Sequence, residues 1–204
     1  MTQETSPKET PNDIDPQSGF RLPLPKREDL DDAGKRAYDR AATPGRTIVG
    51  LRGPGGIRLY STRTVEPTNV IGEYLRHEAA YGPKVREVAI LTVAREMDSQ
   101  FEWAAHEPEA LKVGVGAEVI DVIKHRKSTD SLNEIDAAVI EFGRQMFRGH
   151  HKVSAACFAR MRKLFDPTTL VDLVVLMGNY SATAVLLAVF DMQVPEGKPQ
   201  LPMP

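Results

Sequence analysis

The 204-residue chain has a single cysteine, Cys157. It can form no disulfide within itself, no Cys-x-x-Cys redox pair and no cysteine-rich zinc site. Such a thiol reads as a buried, inert side chain, and the setting as reducing and cytoplasmic. Neither sign of charge dominates: 26 Lys and Arg against 28 Asp and Glu leave a net charge of -2. That balance gives no electrostatic reason to expect nucleic acid or an anionic membrane as a partner, so an anionic ligand would have to be captured by local arginines. The first twenty residues have no apolar core of the kind a signal peptide needs, and Pro7, Pro11 and Pro16 mark residues 1–19 as a disordered leader. The most apolar run, Leu170 to Phe190, is interrupted by Asp172, Asn179, Ser181 and Thr183, and reads as a buried helix, not a membrane span.

Strand-like alternation is also missing, whereas helical spacing recurs along the whole chain. Leu30, Ala33, Ala37, Tyr38 and Ala41 mark a first helix. The segment Thr43 to Thr64, rich in glycine and arginine, reads as an irregular loop. Helices are then expected from Val70 to Ala79, from Pro83 to Ala94, from Ser99 to near Gly114, and from Ala117 to Arg126. Three more carry Ile135 to Met146, Phe158 to Leu164, and Thr168 to Phe190, the last with Asp166 and Pro167 at its start. Residues 195–204 form a proline-rich tail that wraps or dangles. The expected architecture is all-α, one helical domain over residues 20–194. The stretches 85–91 and 170–176 each place an acid among aliphatics, the mark of an internal helical repeat.

Chemistry concentrates in Glu87 to His106, EVAILTVAREMDSQFEWAAH. Glu102 and His106 are four residues apart and share a helix face. A break at Met97-Asp98-Ser99 would fold Glu87 back beside them. Imidazole can give or take a proton near neutral pH, and a neighbouring carboxylate can orient it or act as a second acid. This is an acid/base site that needs neither metal nor thiol. Each residue also has a structural reading. Ser99-Gln100-Phe101-Glu102 fits a capping box, His106 can be a hydrogen-bonded core histidine, and Glu87 can favour the positive end of a helix dipole. Trp103 and Phe101 read as core or pocket wall. His150-His151 and His77-Glu78 lack the further ligands of a metal site, so no metal is expected.

The spacing Glu87, Ser99, Glu102, His106 resembles the carboxymuconolactone decarboxylase and alkylhydroperoxidase D superfamily, whose peroxidase branch carries Glu, Cys, Cys and His there. Both cysteine positions are replaced here, and FEWAAH, together with the later segments around Glu134 to Val139, Phe158 and Leu170 to Tyr180, resembles the decarboxylase branch. The resemblance covers roughly residues 20 to 194. It implies an alkylhydroperoxidase D-like helical domain that forms homo-oligomers, commonly trimers or hexamers, with sites near subunit contacts. It further implies cofactor-independent chemistry on a small acidic or lactone substrate, with His106, Glu102 and Glu87 as catalytic residues. The thiol-dependent peroxidase cycle of the other branch lacks its resolving cysteine here.

Substrate contacts are expected from Ser99 and Trp103 within the motif, from Arg95, and from the loop that holds Arg46, Arg52, Arg58 and Arg63, with Arg52 the leading choice. Three functions follow. One is a lyase that decarboxylates or otherwise transforms a small acid. Another is a non-thiol lactone hydrolase. The third is a catalytically silent helical oligomer that binds a metabolite or a protein.

Overall fold

The computed structural model describes residues 11–45, 48–148 and 151–202. Among them run nine α-helices: α1 (Asp32–Ala42), α2 (Pro54–Arg58), α3 (Thr62–His77), α4 (Gly82–Glu96), α5 (Gln100–Lys112), α6 (Ala117–Lys124), α7 (Glu134–Phe147), α8 (Ala155–Leu164) and α9 (Pro167–Val189). No strand occurs among the described residues. Helix ends follow local chemistry. Asp31, Asn133, Ser154 and Asp166 each accept backbone N–H bonds at the starts of α1, α7, α8 and α9. Gly114, at φ +86°, reverses the chain after α5.

Helix α4 is the axis of the fold and packs against α5, α6, α7 and α9. Every residue from Glu87 to Arg95 is buried, so α4 has no solvent face in its second half. Burying Val88, Ile90, Leu91 and Val93 contributes roughly 1.5–3 kcal/mol each. Close approach to α7 depends on Gly143, where a Cβ would meet Thr92 Cγ2 at 2.7 Å. The two echoed stretches, 85–91 and 170–176, lie in the first turns of α4 and α9, which pack together.

Two expectations change. The segment 43–64 is not wholly irregular: Pro54–Arg58 is helical, and α3 begins at Thr62, eight residues before the first apolar mark of its periodicity. In the leader, residues 11–19 form turns, and Asp15 accepts the amides of Gln17 and Ser18 at 2.9 and 2.8 Å. Phe20 is fully buried with Ile57, Phe101, Leu187 and Met192. Residues 1–10 lie outside the described residues. The tail wraps: Leu201 is buried, and its N–H and C=O pair with the Gln100 side chain at 2.8 and 3.0 Å.

Candidate active site

The Met97–Ser99 turn aligns α4 with α5. Asp98 takes the left-handed conformation, φ 48°, and its carboxylate is held by Arg95 and Arg126. The chain therefore doubles back, and Glu87 of α4 meets His106 of α5. Glu87 Oε2 lies 2.8 Å from His106 Nδ1, and Arg86 Nε donates to Glu87 Oε1 at 2.9 Å. On the other side of the ring, His106 Nε2 is 3.6 Å from Glu102 Oε2, just beyond a hydrogen bond. Helix α9 closes the cluster: the Tyr180 ring meets the imidazole edge to face, centroids 5.1 Å apart at 85°. Glu87, Glu102 and His106 are 2%, 5% and 4% exposed, so the floor of the site is shielded from bulk water.

Three arginines stand above this floor, all less deeply buried. Arg86 is paired with Glu87 and also donates to the Arg76 carbonyl. Arg76, on α3, interacts with the Tyr180 hydroxyl and with the charge on Glu102. Arg58, at the end of α2, donates to Thr183 Oγ1 of α9 at 2.7 Å and faces Glu102 electrostatically.

The two acids are pushed in opposite directions. Burial raises the Glu87 carboxyl, but its hydrogen bond and charge pairing with His106 and Arg86 outweigh that, and it sits below the usual value. For Glu102, burial prevails over the pull of His106, Arg58 and Arg76, and the carboxyl is raised. Burial and the Glu102 charge raise the Tyr180 phenol well above its ordinary value, so it remains a neutral donor. An ionised Glu87 can only accept, so Nδ1 carries the proton and Nε2 is presented toward Glu102. The imidazole is thereby fixed in orientation and tautomer by one acid while facing a second acid that keeps its proton to higher pH.

The sequence-derived candidates divide accordingly. Glu87, Glu102 and His106 come together. Glu87 is the sixth residue of α4, past the first turn where a dipole effect would matter, and it takes the orienting role at Nδ1 that the sequence left open to Glu102. The capping box is not formed: Ser99 starts α5 with no side-chain cap bond, and Glu102 points to the imidazole instead. Trp103 belongs to the core, with its Nε1 bonded to Glu107 and Lys124 over its ring at 5.6 Å. Arg95 is eight residues past Glu87, roughly 12 Å along the helix, and serves the Asp98 turn. Arg52 is exposed and lies against Gly19. Arg46 and His150 lie outside the described residues, and His151 Nδ1 faces the Met146 carbonyl at 2.9 Å. No group of three or more His, Cys, Asp or Glu side chains among the described residues is placed to hold a metal ion. The sequence offered Arg58 only as one of four arginines in the 43–64 segment, behind Arg52, and did not offer Arg76, Tyr180 or Thr183 as site residues, although Tyr180 and Thr183 lie on the buried face of α9.

No protein-family profile matches this sequence, and no curated protein matches it. Among solved structures, it is similar to an alkylhydroperoxidase AhpD core, an uncharacterized peroxidase-related protein from Ralstonia eutropha JMP134. The TM-score is 0.71 at 13% identity, over 87% of this chain and 93% of that one. The fold is therefore alkylhydroperoxidase D-like and all-helical.

Proposed function

We propose that this protein is a cofactor-independent acid/base lyase that decarboxylates a small lactone or carboxylic acid. The observation that carries the reading is the imidazole of His106, held by Glu87 at Nδ1 and presenting Nε2 to the raised acid Glu102. In the proposed step, the bond from carbon to the departing carboxylate breaks and carbon dioxide leaves. The electron pair passes into the conjugated carbonyl as an enolate, and the same carbon skeleton then takes a proton from the His106–Glu102 pair. Water returns the proton to the site. The enclosed floor favours this order of events, because an enolate shielded from bulk water is protonated by the group placed beside it.

Burial raises Glu102 and so favours its protonated, proton-donating form over the carboxylate that a hydrolase would need to activate water. The peroxidase-related description of the structural relative supports no thiol cycle here. Cys157 has no second cysteine in these 204 residues, and burial raises its thiol. Incubation with a panel of butenolide and muconolactone acids tests the reading, with carbon dioxide release followed separately from ring opening. Carbon dioxide without ring opening is the expected result. Ring opening alone would move the assignment to the hydrolase, and no reaction across the panel to a metabolite-binding scaffold. Hydroperoxide turnover lost in Cys157→Ser would move it to a peroxidase.

We also infer that the chain works as a homo-oligomer, a trimer or hexamer, joined through α9. The outer face of this helix exposes Val171, Val174, Val175, Val185 and Val189, with Gly178 and Ala182 between them and no charged side chain among its exposed residues. Adjacent α3 adds Val70, Ile71 and Tyr74, and Tyr74 ties the two helices through Asp172 at 2.7 Å. A contiguous apolar face of this length is characteristic of an interface. The double variant Val174→Glu, Val175→Glu should keep its helical circular dichroism and run as a monomer in light scattering. An unchanged mass for the variant, or a monomeric wild type, would refute α9 as the interface.

A further inference from the structure

We infer that Arg58 and Arg76 form a carboxylate-binding subsite beside the Glu87–Glu102–His106 cluster, and that its ligand is a small organic monocarboxylate group. The inference deepens the proposed reading, since it rests on the Glu87–Glu102–His106 cluster being where a small acid binds. Its main support is an unbalanced charge. Arg58 is half-buried, yet its only side-chain hydrogen bond among the described residues goes to a neutral hydroxyl, Thr183 Oγ1 at 2.7 Å. No Asp or Glu oxygen among those residues lies within 4.0 Å of its guanidinium. Half-buried arginines elsewhere in the fold have acids in contact, as Arg86 does with Glu87 at 2.9 Å and Arg126 with Asp98 at 3.0 Å. Removing a guanidinium from water without a counter-ion is costly, and an anion arriving beside it recovers that cost.

The surrounding charges indicate where an anion would bind. Glu102 and Tyr180 both feel the charge of Arg58, but neither is in hydrogen-bond contact with it. Arg76 reaches the same two groups from α3. Its own acid, Glu73, is 3.7 Å away and is shared with Arg40, in closer contact. Two guanidiniums from separate helices, one with no acid in contact and one 3.7 Å from a shared acid, therefore act on the same pair of groups, Glu102 and Tyr180. A guanidinium fork matches the two oxygens of a carboxylate. A dianion such as phosphate fits less well, because Glu87 is ionised on the floor and a second carboxyl lies beside it. A bound monoanion would raise Glu102 further, so ligand binding favours the protonated form of the acid that faces His106.

Calorimetric titration with an inert keto acid, 4-oxopentanoate, tests the subsite in the full-length protein, with 4-oxopentanamide and inorganic phosphate as comparisons. The wild type and His106→Ala should bind the carboxylate, and the amide should not bind. Arg58→Gln should weaken binding roughly tenfold to a hundredfold, Arg76→Gln should weaken it to a lesser extent, and Arg58→Lys should restore part of the loss. Exposed Arg63→Gln should leave it unchanged. Circular dichroism establishes that each variant is folded, and Thr183→Val, which only frees the Arg58 fork, gives a second route to weakened binding. Full affinity in Arg58→Gln, equal binding of the amide, or binding of phosphate alone would overturn the subsite. The outcomes also separate from those for the reaction. Carboxylate binding that depends on Arg58, with no lactone acid turned over, keeps the subsite and removes the lyase. Decarboxylation with an unchanged KM in Arg58→Gln does the reverse.

Discussion

Turnover of a responsive lactone acid should fall by roughly two to four orders of magnitude when His106 is replaced by alanine. The expectation follows from the division of labour around the ring. Glu87 is ionised and committed to Nδ1, and Arg86 neutralises it further, so it has no proton to deliver. Glu102, raised by burial, keeps its proton to higher pH than an ordinary carboxyl, and it faces the imidazole Nε2 at 3.6 Å. Without the imidazole, the carbon that has lost carbon dioxide must wait for water beside acids that are almost closed to solvent. Single-turnover measurement of carbon dioxide release, with deuterium incorporation at the protonated carbon, reads the step directly. Glu102→Gln sharpens the test: it should remove the fall of kcat at higher pH that deprotonation of Glu102 imposes, whereas a purely structural carboxyl would leave the profile in place. Unchanged turnover in a folded His106→Ala protein would end the proposed mechanism.

Much of this arrangement is legible in the sequence, for reasons that also explain what is not. Long amphipathic helices such as α7 and α9 declare themselves by apolar spacing and by capping residues at their starts. The four-residue step from Glu102 to His106 survives any error in helix ends, because it depends only on local periodicity. Helix α2 is hidden because its residues, PGGIR, carry the composition of a turn. Its Gly56 is there for a different reason: a Cβ would come within 2.1 Å of the Leu51 carbonyl, so glycine permits close packing, not disorder. Missing α2 had a cost at the site. In a loop, the arginines of 43–64 are interchangeable; in a helix anchored by Ile57 and Leu59, only Arg58 is directed at Thr183. The cap expected at Ser99 failed for a tertiary reason, since burial against α4 and α9 gave Glu102 a partner that no local pattern encodes. Arg95 shares a helix with Glu87 but sits two turns too far along it.

Stability should respond in opposite senses to the loss of the two acids. Removing Glu87 with alanine leaves His106 and Arg86 without the carboxylate that satisfies both, and breaking a buried pair of this kind costs about 3–5 kcal/mol. For a chain of this size that corresponds to a Tm lower by roughly 6–20 °C. Glutamine in place of Glu87 isolates the charge. Because the folded carboxyl lies below its ordinary value of 4.5, its contribution is complete above that pH and disappears as the pH falls through the folded value. The deficit of Glu87→Gln should therefore be full at neutral pH and close in acid. Glu102 runs the other way. Its folded value is raised, so the folded state holds a proton that the unfolded chain has released, and stability is lost as pH climbs from 4.5 through the folded value. Glu102→Gln should match the wild type in acid and become the more stable protein above that window, while losing the acid that the reaction uses. Denaturant midpoints from about pH 3 to about pH 8 distinguish these curves. A Glu102→Gln protein less stable than wild type at the alkaline end, or a Glu87→Gln protein equal to wild type at neutrality, would show that the two carboxyls are not poised as the geometry requires.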